Sequence, residues 1–93
     1  MKTGQQVVTI ARRLYEARDA ARRIAGDQYL AKVRRWTDII TNAMESWGCG
    51  ALDVAPRLIH ETKAAGGSIS AGEMLWLFAA TVEVIEPTEG SAD

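Results

Sequence analysis

Residues 28–47 read QYLAKVRRWTDIITNAMESW, and their periodicity decides the fold. Tyr29, Val33, Trp36, Ile40, Ala43 and Trp47 follow one another at steps of four and three residues. At 3.6 residues per turn these positions share one face of an α-helix. Leu30, Thr37 and Met44 widen the same stripe. A half-buried strand would instead alternate at every second residue. Gly48-Cys49-Gly50 ends the segment, because glycine readily takes the left-handed conformation that closes a helix.

Upstream, Gly4 to Ala25 reads as a second amphipathic helix, with Thr3 as its N-cap. Val7, Ile10, Leu14, Ala17, Ala21 and Ile24 form its stripe. Arg12 with Glu16, and Asp19 with Arg23, are four apart on the polar side. Gly26-Asp27 lies between the two helices. Glycine suits the stop and aspartate the next N-cap, so the spacing predicts an antiparallel helical hairpin.

Downstream, Val54 to Ala65 reads as a shorter helix. Asp53 is its expected N-cap, Pro56 falls in its first turn, and Ala55, Leu58, Ile59 and Thr62 make its apolar side. Gly66-Gly67 stops it. Ser70-Ala71-Gly72-Glu73 is a capping-box pattern that opens a fourth helix, running to about Ile85. That helix is the most apolar and is expected to be the most buried. The sequence therefore predicts an all-α, compact four-helix domain over residues 1–86. In it the N-terminal hairpin packs against two further helices, and residues 87–93 form a loose polar tail.

Composition narrows the function classes. Ninety-three residues make one domain, and an apolar share of 47% with 25% charged residues is that of a globular chain. No apolar run reaches the length of a membrane span, and the first residues lack the apolar core of a signal peptide. With a single cysteine, Cys49, these features place the expected location in the cytosol. Charge is unevenly spread. Residues 1–47 hold nine of the eleven Lys/Arg and five of the twelve Asp/Glu, a balance of +4, and the remainder carries −5. Such halves either complement each other within the fold or present a basic face to an acidic partner or nucleic acid.

Catalysis needs a base, a nucleophile or a metal in convergence, and no such set can be read here. His60 is the only histidine, and on a helix its i−4 and i+4 neighbours are Pro56 and Ala64, which cannot share a metal with it. Cys49 stands between glycines with no base nearby. No glycine-rich phosphate loop follows a strand. A helix-turn-helix reader is also excluded, since Ala71 to Ile85 contains no Lys or Arg with which to meet bases or phosphates. We therefore expect a non-enzymatic chain without cofactor or metal.

The candidate functional residues lie where the helical pattern breaks. Met74, Leu75, Phe78, Val82 and Ile85 form one stripe on the last helix, and Leu77, Ala80 and Val84 a second beside it. Trp76 falls on the far side, near Glu73 and Glu83. A helix apolar on two sides is either central in its own domain or shared with a partner. Arg18 falls inside the first helix's apolar stripe and requires a carboxylate, such as Asp53 or Glu61, if buried. The pairs Arg12-Arg13, Arg22-Arg23 and Arg34-Arg35 sit on solvated faces or meet phosphate or acidic protein. Tryptophan and arginine dominate interface energetics. The expected partner-binding residues are accordingly Arg18, Arg22, Arg35 and Trp76.

In the second half, Leu58-Ile59-His60-Glu61-Thr62, Gly66-Gly67 and Leu75-Trp76-Leu77-Phe78-Ala79-Ala80, leading to Val84-Ile85-Glu86-Pro87, resemble small helical proteins of phages and prophages. Some of these are anti-CRISPR inhibitors. The resemblance implies a stoichiometric inhibitor that binds a host CRISPR–Cas surveillance complex and blocks DNA recognition or nuclease recruitment. It contains no diagnostic motif, so it carries no functional residue over. The alternatives are a nucleic-acid-associated protein using the arginine-rich hairpin and a structural homodimer joined through the last helix.

Overall fold

The computed structural model describes the backbone of residues 4–87 and the side chains of residues 11–87. All regular structure among them is helical: α1 (Gly4–Ala25), a 3-10 turn (Gly26–Gln28), α2 (Tyr29–Trp47), α3 (Ala51–Ala64) and α4 (Ala71–Ile85). Residues 4–47 are helical without a break, so the described chain has three continuous helical runs, the first divided at Gly26. The expected cap at Thr3 and the tail beyond Pro87 lie outside the described residues.

Gly26 does take the left-handed conformation, with φ +56°. Asp27, however, caps nothing: it lies within the 3-10 turn, and α2 begins after Gln28 with no side-chain cap. The expected hairpin is also corrected. Among the described residues, α1 and α2 touch each other only sparingly, and the inner surface of each lies mainly against α4. α4 is thus the centre of the molecule, in contact with α1, α2 and α3. Leu77, Ala79, Ala80, Thr81, Val82 and Glu83 are buried in an almost unbroken row. This explains its two apolar stripes: the helix is enclosed within its own domain. Thr81 tolerates burial because its hydroxyl donates to the Leu77 carbonyl at 2.8 Å.

The core joins α4 to Ala21 of α1, to Tyr29, Val33 and Ile40 of α2, and to Ala51, Val54 and Ala55 of α3. The stripe read from residues 28–47 points inward, with Trp36, Ala43 and Trp47 packed at its edge. Leu30 does not belong to it and is exposed. Ile24 leaves its stripe too and is 70% exposed, since the inward face of α1 runs through Leu14, Ala21 and Ala25 and Ile24 lies to its side.

α3 begins three residues before its expected start. Gly50 is the N-cap, and Asp53 sits in the first turn, where its charge complements the helix dipole. The earlier start buries Ala51 together with Val54 and Ala55 as one helical face. It also moves Pro56 out of the harmless first turn, so the Leu52 carbonyl loses the amide that would bond to it. Gly48, at φ +65°, closes α2 through its amide to the Met44 carbonyl at 2.8 Å. The Arg57 guanidinium then stacks on the Trp47 ring at 4.4 Å and ties α3 back to α2.

α4 starts at its capping box. The Glu73 amide donates to the Ser70 hydroxyl at 3.2 Å, and the Ser70 amide donates to the Glu73 carboxylate at 3.1 Å. Ser70→Ala should lower the unfolding free energy by about 1 kcal/mol in chemical denaturation, since one helix-end donor loses its acceptor. An unchanged midpoint would show that the cap contributes nothing to the central helix.

Candidate functional site

Two features stand out on opposite faces of α4. The first is a polar cluster between α1, α2 and α4. Glu83, 7% exposed, accepts a hydrogen bond from the Tyr29 hydroxyl at 2.8 Å and lies 3.6 Å from the Arg22 guanidinium. Arg22 also stacks over the Tyr29 ring at 5.2 Å, and Trp76 tilts against the other side of the same cluster, its ring 6.1 Å from that of Tyr29. Trp76 and Glu83 are seven residues apart, so they share a helical face, and that face meets Tyr29. Further along α1, the Arg18 guanidinium lies 5.0 Å over the Tyr15 ring, and the Tyr15 hydroxyl donates to Glu86.

This arrangement locates the expected residues. Arg22 and Trp76 meet around Tyr29 and are engaged inside the molecule. Arg18 is half-buried, and its Nε makes no hydrogen bond among the described residues. Asp53 and Glu61 do not serve it: they belong to α3, whose backbone stays apart from that of α1 among the described residues, and Glu61 lies 4.0 Å from Arg57. The carboxylates that meet the basic face of α1 are Glu83 and Glu86 of α4. The oppositely charged halves therefore complement each other here within the fold. Arg35 is exposed on α2, and no described contact joins it to this cluster.

Burial, the hydrogen bond to Glu83 and the charge of that carboxylate together push the Tyr29 phenol well above the ordinary tyrosine range, against the opposing pull of Arg22 and Arg18. Tyr15 is raised as well, first by its hydrogen bond to Glu86. The sign for stability follows. Unfolded tyrosine ionises at about pH 10, whereas folded Tyr29 stays protonated there. Its contribution is complete below that pH and is lost as pH rises through the folded value. We expect tyrosinate absorbance to lag behind that of the urea-unfolded chain, and stability to fall above about pH 10. Tyr29→Phe should flatten that fall; an equally steep fall in the variant would remove Tyr29 as its source.

The second feature is a groove of about 360 Å³ on the other side of α4. Arg13 and Leu14 of α1 form one wall, Leu52, Ala55, Pro56 and Ile59 of α3 the other, and Phe78 and Thr81 of α4 the floor. It lies where α1 and α3 both pack on α4 with their backbones apart from each other among the described residues. Ala51 and Val54 take the core face of α3, which turns Leu52, Pro56 and Ile59 toward the groove. Leu52 is 52% exposed there. Among the described residues, Arg13 is the one charged residue lining it.

Among the described residues, no group of three His, Cys, Asp or Glu side chains could hold a metal ion, and no helix is long and apolar enough to cross a membrane. His60 is exposed, and Cys49 is half-buried against the edge of the core. Comparison with protein-family models, with curated proteins and with solved structures found no match to this chain.

Proposed function

We propose that this chain is a non-catalytic domain that works by binding another protein in the cytosol. The observation that carries the reading is the apolar groove between α1 and α3. A chain of this size ordinarily covers such a surface, and contiguous exposed apolar area marks interaction sites. The resemblance of the second half to small phage-encoded proteins gives the reading a specific form, an inhibitor that occupies a CRISPR–Cas surveillance complex. Arg35 and the exposed Arg12-Arg13 pair belong to the same proposal as rim contacts, with Arg18, Arg22 and Trp76 acting through the shape they impose on α1 and α4.

The test is affinity capture with the tagged full chain from bacterial lysate, at moderate salt and with nuclease added, followed by reconstitution from purified components. The expected result is one protein, a Cas subunit on the inhibitor form, held in a fixed stoichiometry by light scattering. Retention that vanishes with nuclease or falls steeply with salt would replace the reading with nucleic-acid association. Recovery of the chain alone as a dimer would replace it with a homo-oligomer.

A further inference from the structure

We infer that the groove between α1 and α3 seats an amphipathic α-helix of the partner that carries acidic residues beside its apolar stripe. This rests on the protein-binding reading above and adds the chemistry of what is bound. The shape comes first. α1 and α3 both pack on α4, and the space between them is a trough with α4 as its floor. The lining is apolar from Leu52 through Pro56 to Ile59, two turns of α3, with Leu14 opposite and Phe78 below. Helices dock in such troughs through side chains at i, i+3 or i+4, and i+7.

The openness of the site favours a helix over a small ligand. Arg13, Leu52 and Pro56 are all exposed. Small-molecule sites enclose about 70–90% of their ligand, and a lining on which these three residues stay exposed encloses less.

The charge selects the acidic class. Arg13 is the only ionisable residue on the lining among the described residues, and Arg12 beside it on α1 is exposed as well. Glu83 and Glu86 lie on the opposite side of α1, where they meet Arg22 and Tyr15, whereas no carboxylate is among the described residues that line the groove. A basic partner helix would meet repulsion from Arg13. An acidic one gains a charge-assisted contact at the rim.

The experiment selects a displayed library of helical peptides against the full chain. Synthetic copies of the winners are then titrated against the chain and two variants, Leu52→Asp and Arg13→Glu. Both positions are exposed, and circular dichroism checks that each variant folds. The expected winners pair an apolar stripe with Asp or Glu. Leu52→Asp should weaken them by about tenfold or more. Arg13→Glu should weaken acidic peptides and recover affinity for versions whose acids are changed to lysine. Winners that bind both variants as they bind the parent chain would overturn the groove assignment while leaving the protein-binding reading in place on another surface. Failure to enrich any amphipathic acidic peptide would overturn the inference outright. So would binding of decanoate, lost in Leu52→Asp, in the absence of such peptides: it would make the groove a site for small amphiphiles.

Discussion

Leu77→Ala is expected to lower the unfolding free energy by about 3–5 kcal/mol, a large part of the 5–15 kcal/mol that holds a domain together. Leu77 is fully buried, with no exposed surface, on the helix against which α1, α2 and α3 all pack. Truncating it removes the transfer energy of three carbons and leaves a cavity. The cavity closes poorly because α1, α2 and α3 each bear on α4, and an inward shift toward one pulls away from the others. The effect therefore belongs in the upper range for such substitutions. Two companions calibrate it. Ile40→Val, also at a fully buried site, should cost about 1 kcal/mol, and Ile24→Ala should stay within about 0.5 kcal/mol, because Ile24 already faces solvent. Equilibrium denaturation of the three variants decides the matter. A small loss at Leu77 would mean that α4 can re-pack and is not the fixed centre of the fold.

The centrality of α4 was visible in its sequence as two apolar stripes, and its capping box was fully legible at Ser70 and Glu73. Both are local signals, set by composition and by spacing within one helix. The stripe of residues 28–47 also pointed inward as its period required. The hairpin was not legible in this way. A glycine between two amphipathic helices says that the direction changes, but not whether the two apolar faces meet each other or a third helix. Here the third helix has the larger apolar surface, and both faces close on it. The start of α3 failed for a related reason. Asp53 is a good cap by local propensity, but burying Ala51 with Val54 and Ala55 outweighs one cap of about 1 kcal/mol.

At the candidate sites, long-range pairing hid what mattered. Glu83 looked like a solvent residue because it shares a face with Trp76 and stands apart from the two apolar stripes. Its seven-residue spacing from Trp76 was the available signal that both address the same neighbour, and Tyr29 is that neighbour. The groove could not be read from any one helix. It arises from the separation of α1 and α3, elements about 40 residues apart in sequence, and only Leu52, an apolar residue beside the inward face of α3, hinted at it.

Replacing Glu83 should show whether the polar cluster acts as one unit. Glu83→Ala leaves the Tyr29 hydroxyl without its acceptor in a buried site and strips Arg22 of its carboxylate. Breaking a buried ion pair costs about 3–5 kcal/mol when the orphaned charge stays buried. Arg22 is 39% exposed and can turn toward water, so a loss of about 2–4 kcal/mol is expected. Glu83→Gln keeps an acceptor for Tyr29 and loses only the charge, so it should cost less than half as much. Tyr29→Phe removes a bond to a charged acceptor and should cost about 1–2 kcal/mol. In the double variant Tyr29→Phe with Glu83→Ala the losses should fall short of additivity by about 1 kcal/mol or more, since the two share one bond. Strict additivity would mean that the residues are adjacent but energetically independent. The same cycle separates structure from recognition at the expected partner-binding residues. Alanine at Arg22 or Trp76 should weaken partner binding only together with the stability of the α1–α2–α4 junction, because both side chains are spent on Tyr29 and Glu83. Alanine at Arg35, exposed and outside that junction, should leave stability unchanged, so any loss of affinity there belongs to the interface itself.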